Sequence, residues 1–123
     1  MSSQNKEVVR RFENEFKNKA NVGIVDDLMT ESFTHHAPLP IPGISPGRAG
    51  MKQIGDFVFS MLSDIQVDIV YMLGDEDMVA TRVSAQGKVK ANGEQVGWTE
   101  NHLYRLVDGR IDEWWGEVGP PLG

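Results

Sequence analysis

The hydrophobic period of this chain changes once, at Asp64, and the change limits what it can fold into. Before it, apolar residues recur every three to four positions; after it, they alternate one by one. Helices segregated ahead of strands build an α+β fold, since βαβ crossovers need the two patterns interleaved. In residues 3 to 20 the stripe Val8, Val9, Phe12, Phe16 and Ala20 predicts one amphipathic helix, with Lys6, Arg10, Glu13 and Lys17 between the apolar positions. Val22, Val25, Leu28 and Met29 predict a second, shorter helix beyond the Asn21–Gly23 break. Residues 37 to 46 hold four of the six prolines and form a stiff loop, because each proline fixes its own φ and restrains the residue before it. Ser45-Pro46 then reads as an N-cap and first helical position, opening a third helix, about 47 to 62, on Met51, Ile54, Phe57, Val58, Met61 and Leu62.

Four consecutive antiparallel strands follow. The first carries Ile65, Val67, Ile69, Tyr71 and Leu73 on one face and turns at Gly74–Asp77. The second puts Val79, Thr81, Val83, Ala85, Gly87, Val89 and Ala91 inward and turns at Asn92-Gly93. In the third, Val96, Trp98, Glu100, His102, Tyr104 and Leu106 share a face, and by majority that face is buried, Leu103 and Val107 being the exceptions. Asp108-Gly109 leads to the last strand, Arg110–Val118, ahead of a Gly119-Pro120-Pro121 tail. The small inner residues of the second strand let a sheet bend around a cavity, or let large side chains from elsewhere fill the space; the pattern leaves both open.

At 123 residues the chain makes a single domain, 1–123, with a core large enough to stand without disulfides or structural metal. With no cysteine there is no thiolate chemistry. A net charge of −6 from 18 acidic and 12 scattered basic residues argues against nucleic acid. No apolar run nears the ~20 residues of a membrane span, and Met1–Lys6 does not read as a signal peptide, so the expected location is cytoplasmic and no membrane partner is expected.

Glu100 and His102 hold the chemical interest, since they stand on an apolar strand face flanked by Trp98 and Tyr104. Buried polar groups need partners or water, so the pair either lines a wet pocket or forms a satisfied pair in the core. In a pocket, a carboxylate and an imidazole between aromatic walls suit acid–base work on an apolar, oxygenated ligand. His35 and His36 are adjacent, and in an extended segment at most one faces inward; no metal is expected, because no ligand motif accompanies them. Trp114 and Trp115 must point to opposite faces, one a core or pocket aromatic and one a candidate contact for a partner subunit. Asp26-Asp27 and Asp75-Glu76-Asp77 read as a solvated face and a turn, and no phosphate-binding glycine motif is present.

F-T-H-H-A-P at 33–38, G-R-A-G-M-K at 47–52 and W-T-E-N-H-L-Y-R-L-V-D-G-R-I-D-E-W-W at 98–115 resemble the SnoaL-like polyketide cyclase branch of the NTF2-like superfamily, over nearly the whole chain. The resemblance implies a cone-shaped α+β barrel, three N-terminal helices packed on a curved antiparallel sheet around a hydrophobic pocket, and a homodimer formed through the outer sheet face. It implies a cofactor-independent cyclase or isomerase in which an Asp, assisted by a strand His matching His102, takes a proton next to a carbonyl so that the enolate closes a ring. The family's Asp follows the tryptophan of the final strand, where this chain has Gly116. The replacement carboxylates are Glu100, and Glu117 if a bulge at Gly116 re-aims it. The expected site is therefore His102 with Glu100 or Glu117, His36 as a donor at the pocket mouth, and Trp98, Tyr104 and Trp114 as walls. The alternatives are a non-catalytic ligand-binding or dimerisation module that has lost the acid, and a dehydratase using His36 and His102. Ketosteroid isomerase-like and epoxide hydrolase-like sites fit less well, for want of a first-helix Tyr and of an inward Arg.

Overall fold

The computed structural model describes residues 2–36 and 43–118; the tail at 119–121 and most of the proline loop lie outside them. The elements are α1 (Ser2–Phe12), continued by a π-helical turn over Glu13–Asn18, then α2 (Ile24–Leu28), β1 (Met29–His35), α3 (Gly47–Met61), β2 (Leu62–Asp75), β3 (Met78–Val89), β4 (Gln95–Val107) and β5 (Arg110–Val118). The class is α+β with one curved five-stranded sheet in the order β1-β5-β4-β3-β2, and α1 lies across β2, β3 and β5.

The four expected strands are present, and a fifth joins them. β1 runs parallel to β5 and brings Thr34 and His35 beside Glu113 and Trp114. Its buried apolar residues, Met29 and Phe33, are four apart, a spacing that also fits a helix, and its register shifts partway along; both features hide the strand's period of two. Within the predicted first helix, the α-helical turns end at Phe12 and the chain widens into the π turn. Glu13, expected among the polar positions, is only 1% exposed there, alongside Phe12 and Phe16.

Three bulges decide which side chains reach the core. At the first, Asp64 adopts φ 53° opposite Gly87, where an added Cβ would press on Ile65 and the Ser63 carbonyl. At the second, Val70 is the extra residue of β2, so Tyr71 and Leu73 turn out to solvent and Met72 turns in, correcting the expectation of uninterrupted alternation. At the third, Asp112 is the extra residue of β5. Thr30 Oγ and Ser32 Oγ donate to its Oδ1 at 2.6 and 2.8 Å, and the Arg105 guanidinium donates to its Oδ2. Because the strand slips by one there, Ile111 and Trp114 both face the core although they are three apart.

The apolar interior falls into two clusters. One gathers Val9, Phe12, Phe16, Val25, Met29 and Trp114 beneath the helices. The other groups Ile65, Val67, Val83 and Ala85 with the partly buried Val58, Phe59, Leu62, Ile69 and Trp98.

Candidate functional site

β4 supplies the floor of the site. Its even positions alternate inward as expected, so Glu100, His102 and Tyr104 are buried and Trp98 is half-buried. The two polar groups are bonded to each other: His102 Nε2 lies 2.7 Å from Glu100 Oε1. Trp98 Nε1–H donates to Glu100 Oε2 at 2.6 Å.

The π turn supplies the other half. Lys17 Nζ lies 2.6 Å from Glu100 Oε1, 2.7 Å from Glu13 Oε2 and 3.0 Å from His102 Nε2. Its contact with Glu13 Oε2 is an ion pair lying off the line of a hydrogen bond. The Tyr104 hydroxyl donates to Glu13 Oε1. Two carboxylates therefore share one ammonium inside the protein, and each carboxylate also accepts an aromatic N–H or O–H.

β5 closes the site from the side. Trp114 Nε1–H points at His102 Nδ1 from 3.0 Å, and the two rings stack with centroids 5.5 Å apart. A ring nitrogen that faces an indole N–H must carry the lone pair, so the imidazole proton sits on Nε2 and is donated to Glu100. The indole fits because residue 116 is glycine: a Cβ there would stand 2.5 Å from Trp114 Cζ2 and 2.9 Å from His102 Nδ1. Trp114 thus occupies the space a side chain at 116 would need.

The charges reinforce one another. Burial pushes the Glu100 carboxyl up, but the Lys17 charge and the His102 N–H outweigh it and hold the group far below the usual glutamate range. Burial also opposes the charge on Lys17, yet Glu13 and Glu100 together raise its ammonium above the ordinary lysine value. Tyr104 is driven well above its ordinary value by burial and by the Glu13 charge.

The structure does not bring Glu117 or His36 to this site. β5 keeps regular register through His102↔Gly116 and Asn101↔Glu117, so the bulge that would re-aim Glu117 is absent and its side chain is exposed on the outer face. The bulge of β5 lies at Asp112 instead. His36 stacks on the outward Trp115 with centroids 4.8 Å apart, and its Nε2 lies 2.9 Å from Glu113 Oε2. Together with Asn101, Leu103, Gly116 and Glu117 these two rings line an outer recess of about 300 Å³ that His102 also borders, although its ring turns inward against Trp114. His36 and His102 lie on opposite sides of the sheet, which leaves the two-histidine dehydratase arrangement unformed. His35, the other member of the pair, contacts the Ser45 carbonyl oxygen through Nε2 at 3.0 Å. Among the described residues no group of three His, Cys, Asp or Glu is arranged to hold a metal, and no helix is long and apolar enough to cross a membrane.

Residues 7–118 match the family model of the SnoaL-like polyketide cyclases. The chain belongs to the SnoaL-like polyketide cyclase family. Solved structures similar to this SnoaL-like chain share its fold at low identity. IdmH from Streptomyces antibioticus, a proposed polyketide cyclase, is 23% identical with a TM-score of 0.80, covering 94% of this chain and 91% of its own. A proposed polyketide cyclase from Bacillus cereus is 21% identical with a TM-score of 0.83, covering 94% and 74%. A Catenulispora acidiphila protein with a ketosteroid isomerase-like fold, solved with trimethylamine, is 15% identical with a TM-score of 0.76, covering 90% and 84%. No curated protein matches the chain by sequence.

Sequence reasoning missed Glu13 and Lys17. A signal for them exists: Val9, Phe12, Glu13, Phe16 and Lys17 stand at i, i+3, i+4, i+7 and i+8, one continuous helical stripe. Charged residues inside such a stripe mark a buried polar cluster as readily as a polar edge.

Proposed function

We propose that this SnoaL-like protein binds an apolar, oxygen-bearing small molecule between its helices and the inner face of the sheet, and moves a proton on it without a cofactor. The observation that carries this reading is the Glu100–His102 pair, 2.7 Å apart on an apolar face with Lys17 keeping the carboxylate ionised. A carboxylate that accepts the Nε2–H leaves Nδ1 as the basic nitrogen and stabilises the imidazolium that forms on protonation. In a ring closure, the C–H bond beside a carbonyl breaks, its proton passes to Nδ1 and its electron pair forms an enolate. The enolate carbon bonds to a second carbonyl, and the alkoxide takes the proton back. For this the substrate displaces the Trp114 N–H from Nδ1. Trp98, partly buried against the cluster of Ile65, Val67, Val83 and Ala85, supports an apolar wall.

The reading extends to a cytoplasmic homodimer paired through the outer sheet face, where Tyr71, Leu73, Leu103 and Val107 are exposed. A second reading, a binding or dimerisation module without catalysis, is favoured by Trp114, which fills the place above Gly116 and caps Nδ1.

The test is α-deuterium exchange of ethyl acetoacetate or a hydroxylated polycyclic ketone in D2O, followed by NMR. The expected result is acceleration by the wild type and a loss of about 10²- to 10⁴-fold in His102→Ala. Absence of exchange, with a ligand co-purifying in native mass spectrometry, selects the module; undiminished exchange in His102→Ala removes the imidazole from the chemistry.

A further inference from the structure

We infer that Lys17 is a positioning residue, which through Glu100 holds the proton of His102 on Nε2 and keeps Nδ1 as the lone-pair nitrogen. The inference deepens the acid–base reading above and rests on it for its catalytic meaning, but its geometry stands by itself. The partly buried Lys17 ammonium is held by two carboxylates, at Glu13 Oε2 and Glu100 Oε1, and His102 Nε2, 3.0 Å from it, is a second donor converging on the same Glu100 Oε1. With its ammonium held between two carboxylates, its effect is exerted through those neighbours.

Trp114 Nε1–H occupies Nδ1 at 3.0 Å, and Glu100 Oε1 accepts from Nε2 at 2.7 Å. Glu100 is a steady acceptor only while it stays ionised, and in a dry interior that needs a compensating charge. The Lys17 ammonium supplies it at 2.6 Å, and shares it with Glu13. Glu13 in turn is held by the Tyr104 hydroxyl, so the ammonium is kept from swinging away. Without Lys17, two buried carboxylates meet with no cation between them. Glu100 then either takes a proton and donates it toward Nε2, or draws a second proton onto the imidazole. Both routes put a hydrogen on Nδ1, opposite the indole N–H, and force Trp114 and His102 apart. The tautomer that the Trp114 N–H selects at Nδ1 is in this way maintained at Nε2 by a residue on the π turn, 85 positions earlier in the chain.

The test reads the imidazole directly. Long-range ¹H–¹⁵N spectra of His102 at neutral pH are recorded for the wild type, Lys17→Arg and Lys17→Met, with near-ultraviolet circular dichroism as the check on folding. The wild type and Lys17→Arg are expected to give the Nε2–H neutral pattern, and Lys17→Met to lose it as Nδ1 gains hydrogen. Should Lys17→Met not fold, the double variant Lys17→Met/Glu13→Gln, which removes both members of one ion pair, carries the same expectation. A folded variant of either kind with the wild-type pattern overturns the inference, as does a wild-type spectrum with hydrogen on Nδ1. The spectra do not depend on turnover. A protein that exchanges no deuterium but changes its pattern as described keeps the inference and loses the catalytic reading; the reverse result keeps the catalytic reading and loses the inference.

Discussion

Trp114 and Trp115 head two arrangements built from the same parts on opposite sides of one sheet. On the inner side Trp114 stacks on His102, His102 meets Glu100 at 2.7 Å and a lysine, Lys17, reaches that carboxylate at 2.6 Å. On the outer side Trp115 stacks on His36, His36 meets Glu113 at 2.9 Å and an arginine, Arg105, reaches that carboxylate at 2.6 Å. The distances barely differ, but the exposure does: the inner imidazole is 2% exposed and the outer one 36%. Water screens the outer charges and can replace any partner that leaves, whereas the inner groups have only each other. The contrast teaches that an ion pair's importance follows from the cost of breaking it where it stands.

The largest expected effect comes from removing each cation. Lys17→Met strands two buried carboxylates and should destabilise the fold by about 3–5 kcal/mol, the usual range for breaking a buried pair. Arg105→Met should leave stability nearly unchanged, and urea unfolding of the two variants compares them. Equal losses would break the contrast. Smaller is the effect of filling the glycine site. Gly116→Ala pushes a methyl into the Trp114 indole and the His102 ring and should cost about 1–3 kcal/mol, as overpacking does. An unchanged midpoint would mean that Trp114 leaves its place freely.

The smallest effect sharpens the comparison through pH. The folded-state pKa of Glu100 lies below its unfolded value of about 4.3, so its contribution is fully present above that pH and is lost as pH falls below it. Stability of Glu100→Gln should therefore decline less steeply than wild type over that acid range. Hydrogen bonds from Arg105 and His36 also lower Glu113, with the same sign, but solvent screening shrinks the effect, and Glu113→Gln should track the wild-type slope closely. Parallel slopes for wild type and Glu100→Gln would show that the inner carboxylate is not held ionised by its partners.

Much of this was legible from residues alone. The alternation of β4 places Trp98, Glu100, His102 and Tyr104 on one buried face, because a strand's side chains obey a period of two wherever no bulge interrupts. Where a bulge does interrupt, the same reading fails at Tyr71 and Leu73, which Val70 turns outward, while the slip at Asp112 settles what alternation left open, that Trp114 and not Trp115 is the inward ring. A bulge is set by the partner strand, by the short contacts beneath it and by side chains such as Thr30 and Ser32, none of them neighbours in sequence.

By itself the sequence determined the helix-then-strand order, the antiparallel run and the carboxylate–imidazole pair on a shared face, all of which follow from local periodicity. Only the tertiary structure decided that β1 joins the sheet, that Glu117 and His36 stay outside the site, and that Glu13 and Lys17 complete it. Those outcomes depend on which distant groups share a dry volume, where every buried charge must find its partner through space and not along the chain.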